Sequence, residues 1–475
     1  MANRDLEVLE LKPPTANCFT ITNSNNNEIT RLSITELSYN DFYWQYMERN
    51  YPVILRDVST QWECRLNWIK PQTQDLTLTE NTDNTFVKTR VNGKTINYDY
   101  LREKIGNCQV PVANCNMEYY NSHAKCEMLF YDFLRYWQKK QEDLLAAGTT
   151  TTDLSNNDNK TITTGDLLYL KDWHLKAQNA DYDFYKVPKY FASDWLNEHL
   201  VATKSDDYRF VYMGPKDTWT PFHSDVFGSF SWSTNIMGIK KWLLLPPGEE
   251  IKLGDNLGNL PFCINEEMLD KKYIKYFTIM QKENESIFVP SGWYHQVWNI
   301  TDTISVNHNW FNACNLQRIW YNLNNQMEKV IKEIDDCRQM DNFMEHCQTM
   351  LRASFGLNYL DFLQLLECIA NRRLRQFNNN TASAILSPPS QGLCSFDLTT
   401  STPLIFFDQF IPNEYHVRHD LERILQVIEL MLQDSIVCED RTVLYRKCIH
   451  LRELLSTTAL SLSLNEKIST SSSSS

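Results

Sequence analysis

WTPFHSDVFGSFSWSTNIMGIKKWLLL, residues 219–245, carries the signals that decide the fold. Aromatic and aliphatic residues alternate with small polar ones, and Gly238 interrupts two such runs, the pattern of antiparallel strands joined by a turn. Similar runs lie on either side: LLYLKDW from 167, YRFVYMG from 208, ESIFVPSGW from 285, YHQVWNI from 294 and TISVNHNWF from 303. Several short strands at close spacing, separated by Pro and Gly turns, predict an antiparallel barrel or sandwich over residues 167–312.

Outside that core the periodicity changes. In TELSYNDFYWQYMERN the spacing predicts a helix, with Ser38 as N-cap and Asp41 three residues on. YPVILRDV reads as a buried strand, and residues 125–146 return to helical spacing. Residues 1–166 thus form a mixed region supporting the barrel, ending in a Thr- and Asn-rich stretch at 148–166 that reads as an exposed insertion. Residues 313–466 are predicted to be helical, with a Pro/Ser/Asn-rich linker at about 376–392 and helices near 417–434 and 440–464. The Ser-rich tail, 467–475, is predicted to be disordered. The fold class is therefore α+β, a β-core with flanking helices and a helical C-terminal region.

Composition narrows the function classes. Of 475 residues 42% are hydrophobic, enough for a large core. The formal charge of −13 argues against wholesale attraction to nucleic-acid phosphates, so no direct nucleic-acid binding is expected. No apolar run is long enough to span a bilayer, and the N-terminus has no signal-like apolar segment. Thirteen cysteines without a CxxC pair read as reduced thiols, which points to the cytoplasm, with a nuclear fraction open. Cys108, Cys115, His123 and Cys126 have residue types that suit zinc, but their spacing matches no common finger or ribbon, so core or loop cysteines are expected.

The chemistry concentrates at His223, Asp225 and His295. His223 and Asp225 are two apart on a predicted strand, so period-two geometry points both to one face. His295 opens another strand. Two imidazoles and one carboxylate on one face leave the opposite positions of a metal open, as ferrous oxygenases need. The bland alternative is a structural His223–Asp225 hydrogen bond and a turn capped by His295.

LYLKDWHL, YKVPKYF, the HSD triplet, GIKKWLLLPPGEE and VPSGWYHQVWN together resemble the JmjC-domain family of 2-oxoglutarate-dependent oxygenases, over roughly residues 35–312. The resemblance implies a double-stranded β-helix, a cupin-like barrel, holding Fe(II) on His223, Asp225 and His295, with 2-oxoglutarate and dioxygen as co-substrates. It implies that Lys240 pairs with the distal carboxylate of 2-oxoglutarate, helped by Tyr169, Thr220 and Asn307. Lys241, on the opposite strand face, is expected to be solvated. Where related proteins often carry an asparagine beside the cofactor this chain has Ser233, and Asn235 on the same face is the alternative. The resemblance to the protein-hydroxylase branch implies lysyl hydroxylation at carbon 4 of the eukaryotic peptide-chain release factor, and so a link to translation termination. An N-methyl-lysine demethylase and a non-catalytic cupin-like interaction protein remain as alternatives. The amphipathic C-terminal helices are expected to bury each other or to form a homodimer.

Overall fold

The computed structural model describes residues 7–15, 28–72, 77–80, 86–89, 93–147, 166–203, 207–382, 410–439 and 443–472. Twelve strands position the site. They are β1 (Val53–Arg56), β2 (Gln109–Tyr119), β3 (Ser122–Leu129), β4 (Leu168–Trp173), β5 (Arg209–Gly214), β6 (Trp219–His223), β7 (Phe230–Met237), β8 (Lys240–Leu245), β9 (Phe277–Gln281), β10 (Glu285–Val289), β11 (Tyr294–Asn299) and β12 (Thr303–Trp310).

A large sheet runs Arg31–Ser33, β1, β10, β7, β12, β5, β4, β2, β3, and a four-stranded sheet runs β6, β11, β8, β9. The eight strands β5 to β12 alternate between the two sheets in chain order, except that β8 and β9 pair within the four-stranded sheet, and they form the expected double-stranded β-helix. Both faces of the large sheet are covered, which explains why β12 (TISVNHNW) is buried at every position. Its Ile304, Val306 and Trp310 join Phe230 and Trp232 of β7 in a core shared with the N-terminal helix. The alternate positions, Ser231, Ser233, Asn235, Ser305, Asn307 and Asn309, are polar and line the barrel. An apolar outer face against helices and a polar inner face make this strand pattern the inverse of an ordinary sandwich.

The predicted N-cap is present: the Ser38 side chain accepts from the Asp41 backbone N–H at 3.0 Å at the start of α1 (Tyr39–Phe42), which continues as a π-turn over Tyr43–Met47. The helix expected from 125 starts later, as α2 (Phe130–Ala147). Residues 122–129 instead pair with 109–119, because Tyr120 and Asn121 both adopt positive φ (47° and 56°) and turn the chain into a hairpin. Of the 148–166 insertion only Asp166 lies within the described residues.

The C-terminal region is helical, as expected. Its main helices are α4 (Leu316–Glu333), α5 (Phe343–Phe355), α6 (Tyr359–Ala382), α7 (Glu414–Met431) and α8 (Val443–Ser472), with α3 (Trp195–Thr203) packed against them from the barrel side. They bury one another through Ile319, Leu323, Phe362, Leu366, Ile424, Ile428 and Leu451. Two differences from the sequence reading appear here. Helix α6 runs into the expected linker as far as Ala382, the rest of which lies outside the described residues. Helix α8 continues through most of the Ser-rich tail to Ser472, since extending a nucleated helix adds a hydrogen bond for each residue fixed. Among the described residues no helix is long and apolar enough to cross a membrane.

Candidate metal and co-substrate site

β6 and β11 pair so that His223 stands directly across from His295. Their rings lie 4.4 Å apart between centroids. Strand β6 ends at His223, so Asp225 sits two residues past the strand, where sequence periodicity had placed it on the strand itself. Its extended backbone (φ −64°, ψ 147°) still returns the carboxylate to the same side, and one ligand atom from each of the three residues lies within 4.8 Å of the others. Among the described residues this is the one His/Cys/Asp/Glu group so arranged. Cys108, Cys115, His123 and Cys126 are not brought together. Cys108 accepts from Asn179 at 3.4 Å, Cys115 donates to the Trp219 carbonyl at 3.6 Å, and His123 packs on Trp219.

The turn that carries Asp225 is propped from the C-terminal helices. Phe227 (φ 60°) stacks edge-on against Phe355, and Gly228 (φ 68°) lies so close to Asn322 of α4 that a Cβ would fall 2.0 Å from its amide nitrogen.

Both imidazoles are prepared as metal ligands. Nδ1 of His223 lies 2.7 Å from the Pro221 carbonyl, and Nδ1 of His295 lies 3.0 Å from the Trp293 carbonyl. A carbonyl only accepts, so each Nδ1 carries the proton and each Nε2 presents its lone pair. Burial, reinforced by the neighbouring His295, pushes His223 down to about 4, which keeps it neutral at pH 7. Asp225 is fixed by Ser231, whose hydroxyl donates at 2.6 Å, and by the Asn309 amide at 2.9 Å. The sequence reading missed both. Their signal was the alternation in SFSWSTN and SVNHNW, which places a polar side chain at every second position.

Deeper in the barrel Lys240 is buried, and its ammonium donates to the Ser305 hydroxyl at 2.7 Å. No carboxylate pairs with it among the described residues, and burial alone pushes its pKa down to about 7. Its neighbour Lys241 pairs with Glu266 at 2.9 Å on the outer side, so the expectation that only one of the two enters the barrel agrees with the geometry. Tyr169 is buried, its ring against Gly214, where a Cβ would fall 2.5 Å from the ring, and its hydroxyl meets the Asn299 side chain. Thr220 is buried on β6, three residues before His223. Asn307 donates to Ser305 at 3.3 Å and stands across from Ser233. The Asn235 amide donates to the Gly238 carbonyl at 2.6 Å. The Ser233 hydroxyl and Asn235 Oδ1 are both buried without a protein partner.

These features fit a small dicarboxylate. An uncompensated buried ammonium and an orphaned hydroxyl are costly in an empty protein, and both can donate to a ligand with a carboxylate at one end. A His₂Asp face whose imidazoles each donate Nδ1–H to a carbonyl and turn Nε2 inward suits Fe(II) at the other.

Residues 210–310 match the JmjC domain, hydroxylase. A Drosophila melanogaster 2-oxoglutarate and iron-dependent oxygenase, the JMJD4 homolog, is 52% identical over 414 residues, 86% of this chain and 89% of the relative. The chain belongs to the JmjC family of 2-oxoglutarate- and iron-dependent oxygenases. Human 2-oxoglutarate and iron-dependent oxygenase JMJD4 is 38% identical over 71% of this chain and 74% of its own length. An Arabidopsis thaliana protein named arginine-specific demethylase JMJ20 is 34% identical over 70% of this chain and 68% of its own. This JmjC protein is thus a dioxygenase that uses iron and 2-oxoglutarate, of the JMJD4 type, and the reading of the chain as a non-catalytic interaction protein is set aside.

Proposed function

We propose that the protein hydroxylates a lysyl side chain at carbon 4 on the eukaryotic peptide-chain release factor, acting in the cytoplasm, with a nuclear fraction, to promote translation termination. The observation that carries the hydroxylase part is the joint presence of a His₂Asp face and a buried lysine with no carboxylate partner in one barrel, in a chain related to the JMJD4 oxygenases over most of its length. The lysyl target follows from resemblance to the protein-hydroxylase branch.

In this reading His223, Asp225 and His295 hold the iron, and Lys240, Tyr169, Thr220 and Asn307 hold 2-oxoglutarate. When bound, the two supply the activation of dioxygen and the oxidation of a substrate C–H, with carbon dioxide and succinate released. The chain orients and shields. The Pro221 and Trp293 carbonyls fix the imidazole tautomers, Ser231 and Asn309 hold the carboxylate in place, and Ser305 aims Lys240. The walls around Lys240 are dry enough to depress its pKa, so a carboxylate reaching it gains a strong charge-assisted bond.

The test is mass spectrometry of release-factor peptides incubated with the iron-loaded protein, 2-oxoglutarate and air. Addition of one oxygen at a lysine, dependent on 2-oxoglutarate, supports the reading. Succinate formation with formaldehyde release from a methylated peptide instead favours N-methyl demethylation, which the name of the Arabidopsis relative keeps as the second reading. Homodimerisation through the C-terminal helices belongs to the same proposal, and light scattering at micromolar concentration decides it.

A further inference from the structure

Helix α3 reaches the metal site through one side chain, Asn197. Asp194, the residue before the helix, caps it: its Oδ1 accepts the Asn197 N–H at 2.9 Å. The other oxygen, Oδ2, accepts from the Asn197 carboxamide at 2.7 Å. The same Nδ2 donates to the Asn309 carbonyl at 3.0 Å, and Asn197 Oδ1 accepts the Tyr208 N–H at 2.6 Å. Two acceptors on one side and a donor on the other fix the orientation of the carboxamide. Asp194 and Asn197 are both fully buried, so water does not stand in for any of these partners.

These contacts fall on the last rung between β5 and β12. The register puts Arg209 opposite His308, so Tyr208 stands opposite Asn309. The Asn309 N–H donates to the Tyr208 carbonyl at 2.9 Å, one half of the pair of bonds that opposed antiparallel residues exchange. The other half runs through Asn197, whose carboxamide stands where a direct bond from the Tyr208 N–H to the Asn309 carbonyl would close the pair. A side chain of α3 is thus wedged into the ladder like an extra peptide group. Asn309 is the residue whose amide donates to Asp225 Oδ1 at 2.9 Å, with the Ser229 hydroxyl as that amide's second acceptor at 3.1 Å.

We propose that Asn197 is a positioning residue for the metal site: by wedging β5 from β12 it sets where Asn309 stands, and through Asn309 it aims the Asp225 carboxylate.

The inference rests on the reading of Asp225 as a metal ligand. A carboxylate binds metal well only when its free lone pairs point at the ion, and the groups that orient it are worth about 10–100-fold in affinity. Without the wedge, the Tyr208 N–H and the Asn309 carbonyl both lose a partner where no water replaces it. The strands satisfy both groups by closing on each other. That movement draws Asn309 toward β5 and away from β7, where Ser231 holds the other oxygen of Asp225. The carboxylate then keeps one of its two supports.

The experiment measures Mn(II) affinity, and the visible spectrum of the Co(II)-substituted protein, in wild type, Asn197→Ala, Asn309→Ala and the double variant. Asp225→Ala and Leu451→Ala are the controls, Leu451 being buried on α8 in the core of the helical region. Asn197→Ala is expected to weaken Mn(II) binding about tenfold and to shift the Co(II) bands as Asn309→Ala does. Because Asn197 acts through Asn309, adding Asn197→Ala to Asn309→Ala is expected to change the affinity by less than about threefold. Leu451→Ala lowers stability without touching the ladder and is expected to bind metal as wild type does. Should Asn197→Ala not fold, Asn197→Ser, whose side chain reaches one atom less far, takes its place in the cycle. An affinity within about twofold of wild type in the single Asn197 variant overturns the proposal. So does a full tenfold further loss in the Asn309→Ala background, or an equal loss in Leu451→Ala. If Asp225→Ala keeps its metal, the ligand assignment falls and takes this proposal with it. If Asp225→Ala loses the metal and the Asn197 variant does not, only the positioning role falls.

Discussion

Replacing Lys240 by methionine should separate two effects that an ordinary structural lysine would not. Lys240 is buried with one hydroxyl partner, and burial lowers it from 10.5 to about 7. A base with a depressed folded pKa leaves the unfolded chain binding more protons between pH 7 and 10.5, so the lysine costs stability at neutral pH and this cost shrinks as pH rises through that window. A shift of that size corresponds to about 3–5 kcal/mol, the upper end assuming no water reaches the ammonium. Lys240→Met removes the cost while keeping a side chain of similar length, so the apoprotein should melt at the same temperature or several degrees higher at pH 7. The co-substrate should suffer the opposite change. Leaving the distal carboxylate buried without its cation costs about 3–5 kcal/mol, a rise of roughly a hundred- to several-thousandfold in the dissociation constant of 2-oxoglutarate. Wild type should also take up close to one proton on binding at pH 8, as the carboxylate draws the lysine back to its charged form, and the variant should take up none. Calorimetric titration of the Mn(II)-loaded proteins in two buffers of different ionisation enthalpy reads affinity and proton uptake together. A 2-oxoglutarate affinity within threefold of wild type, or an apoprotein melting several degrees lower, refutes the assignment of Lys240 as the co-substrate's counter-ion.

Asp225→Ala should abolish iron retention and turnover with the apoprotein still folded, whereas Asn309→Ala should weaken metal affinity by about 10–100-fold by freeing the carboxylate, both read by metal analysis after dialysis against a chelator. Asp194 is buried and raised from 3.8 to about 7, mainly by desolvation. The folded state therefore binds more protons between those values, so stability should fall by about 2–3 kcal/mol from pH 5 to pH 8 on this account. Asp194→Asn keeps an acceptor for the Asn197 N–H and should flatten that slope in urea titrations, and an unchanged slope counts against the assignment. Arg373 holds Glu198 and Asp420 together in the buried seam between α3, α6 and α7; Arg372 stays with Glu198 at 2.9 Å and His416 with Asp420 at 3.2 Å, so Arg373→Met should cost about 1–3 kcal/mol, measured by denaturant unfolding.

The strand core and the chemistry of the three proposed iron ligands were legible from residue pattern, because period-two alternation, turn residues and ligand type are properties of short segments. The sequence even separated Lys240 from Lys241, since neighbours on a strand face opposite ways. The hairpin at 109–129 was not legible: CEMLFYDFLRYW keeps an apolar spacing compatible with a helix, and only pairing with 109–119 makes its first part a strand. Nor did local pattern carry α6 to Ala382 or α8 to Ser472, where tertiary docking of the preceding turns extends the helix into polar sequence.

What the sequence determined by itself, then, is an α+β chain with a polar-lined antiparallel core, two histidines and an aspartate suited to iron, and one lysine aimed inward. What only the tertiary structure decided is which distant groups complete each of them. Asn309 reaches Asp225 across 84 positions, Ser305 reaches Lys240 across 65, and Asn322 and Phe355 of the C-terminal helices brace the turn at Phe227. The reason is that a residue's type and spacing fix the face on which it lies. The partner that satisfies a buried charge on that face is chosen by sheet register and layer packing, which no local window contains.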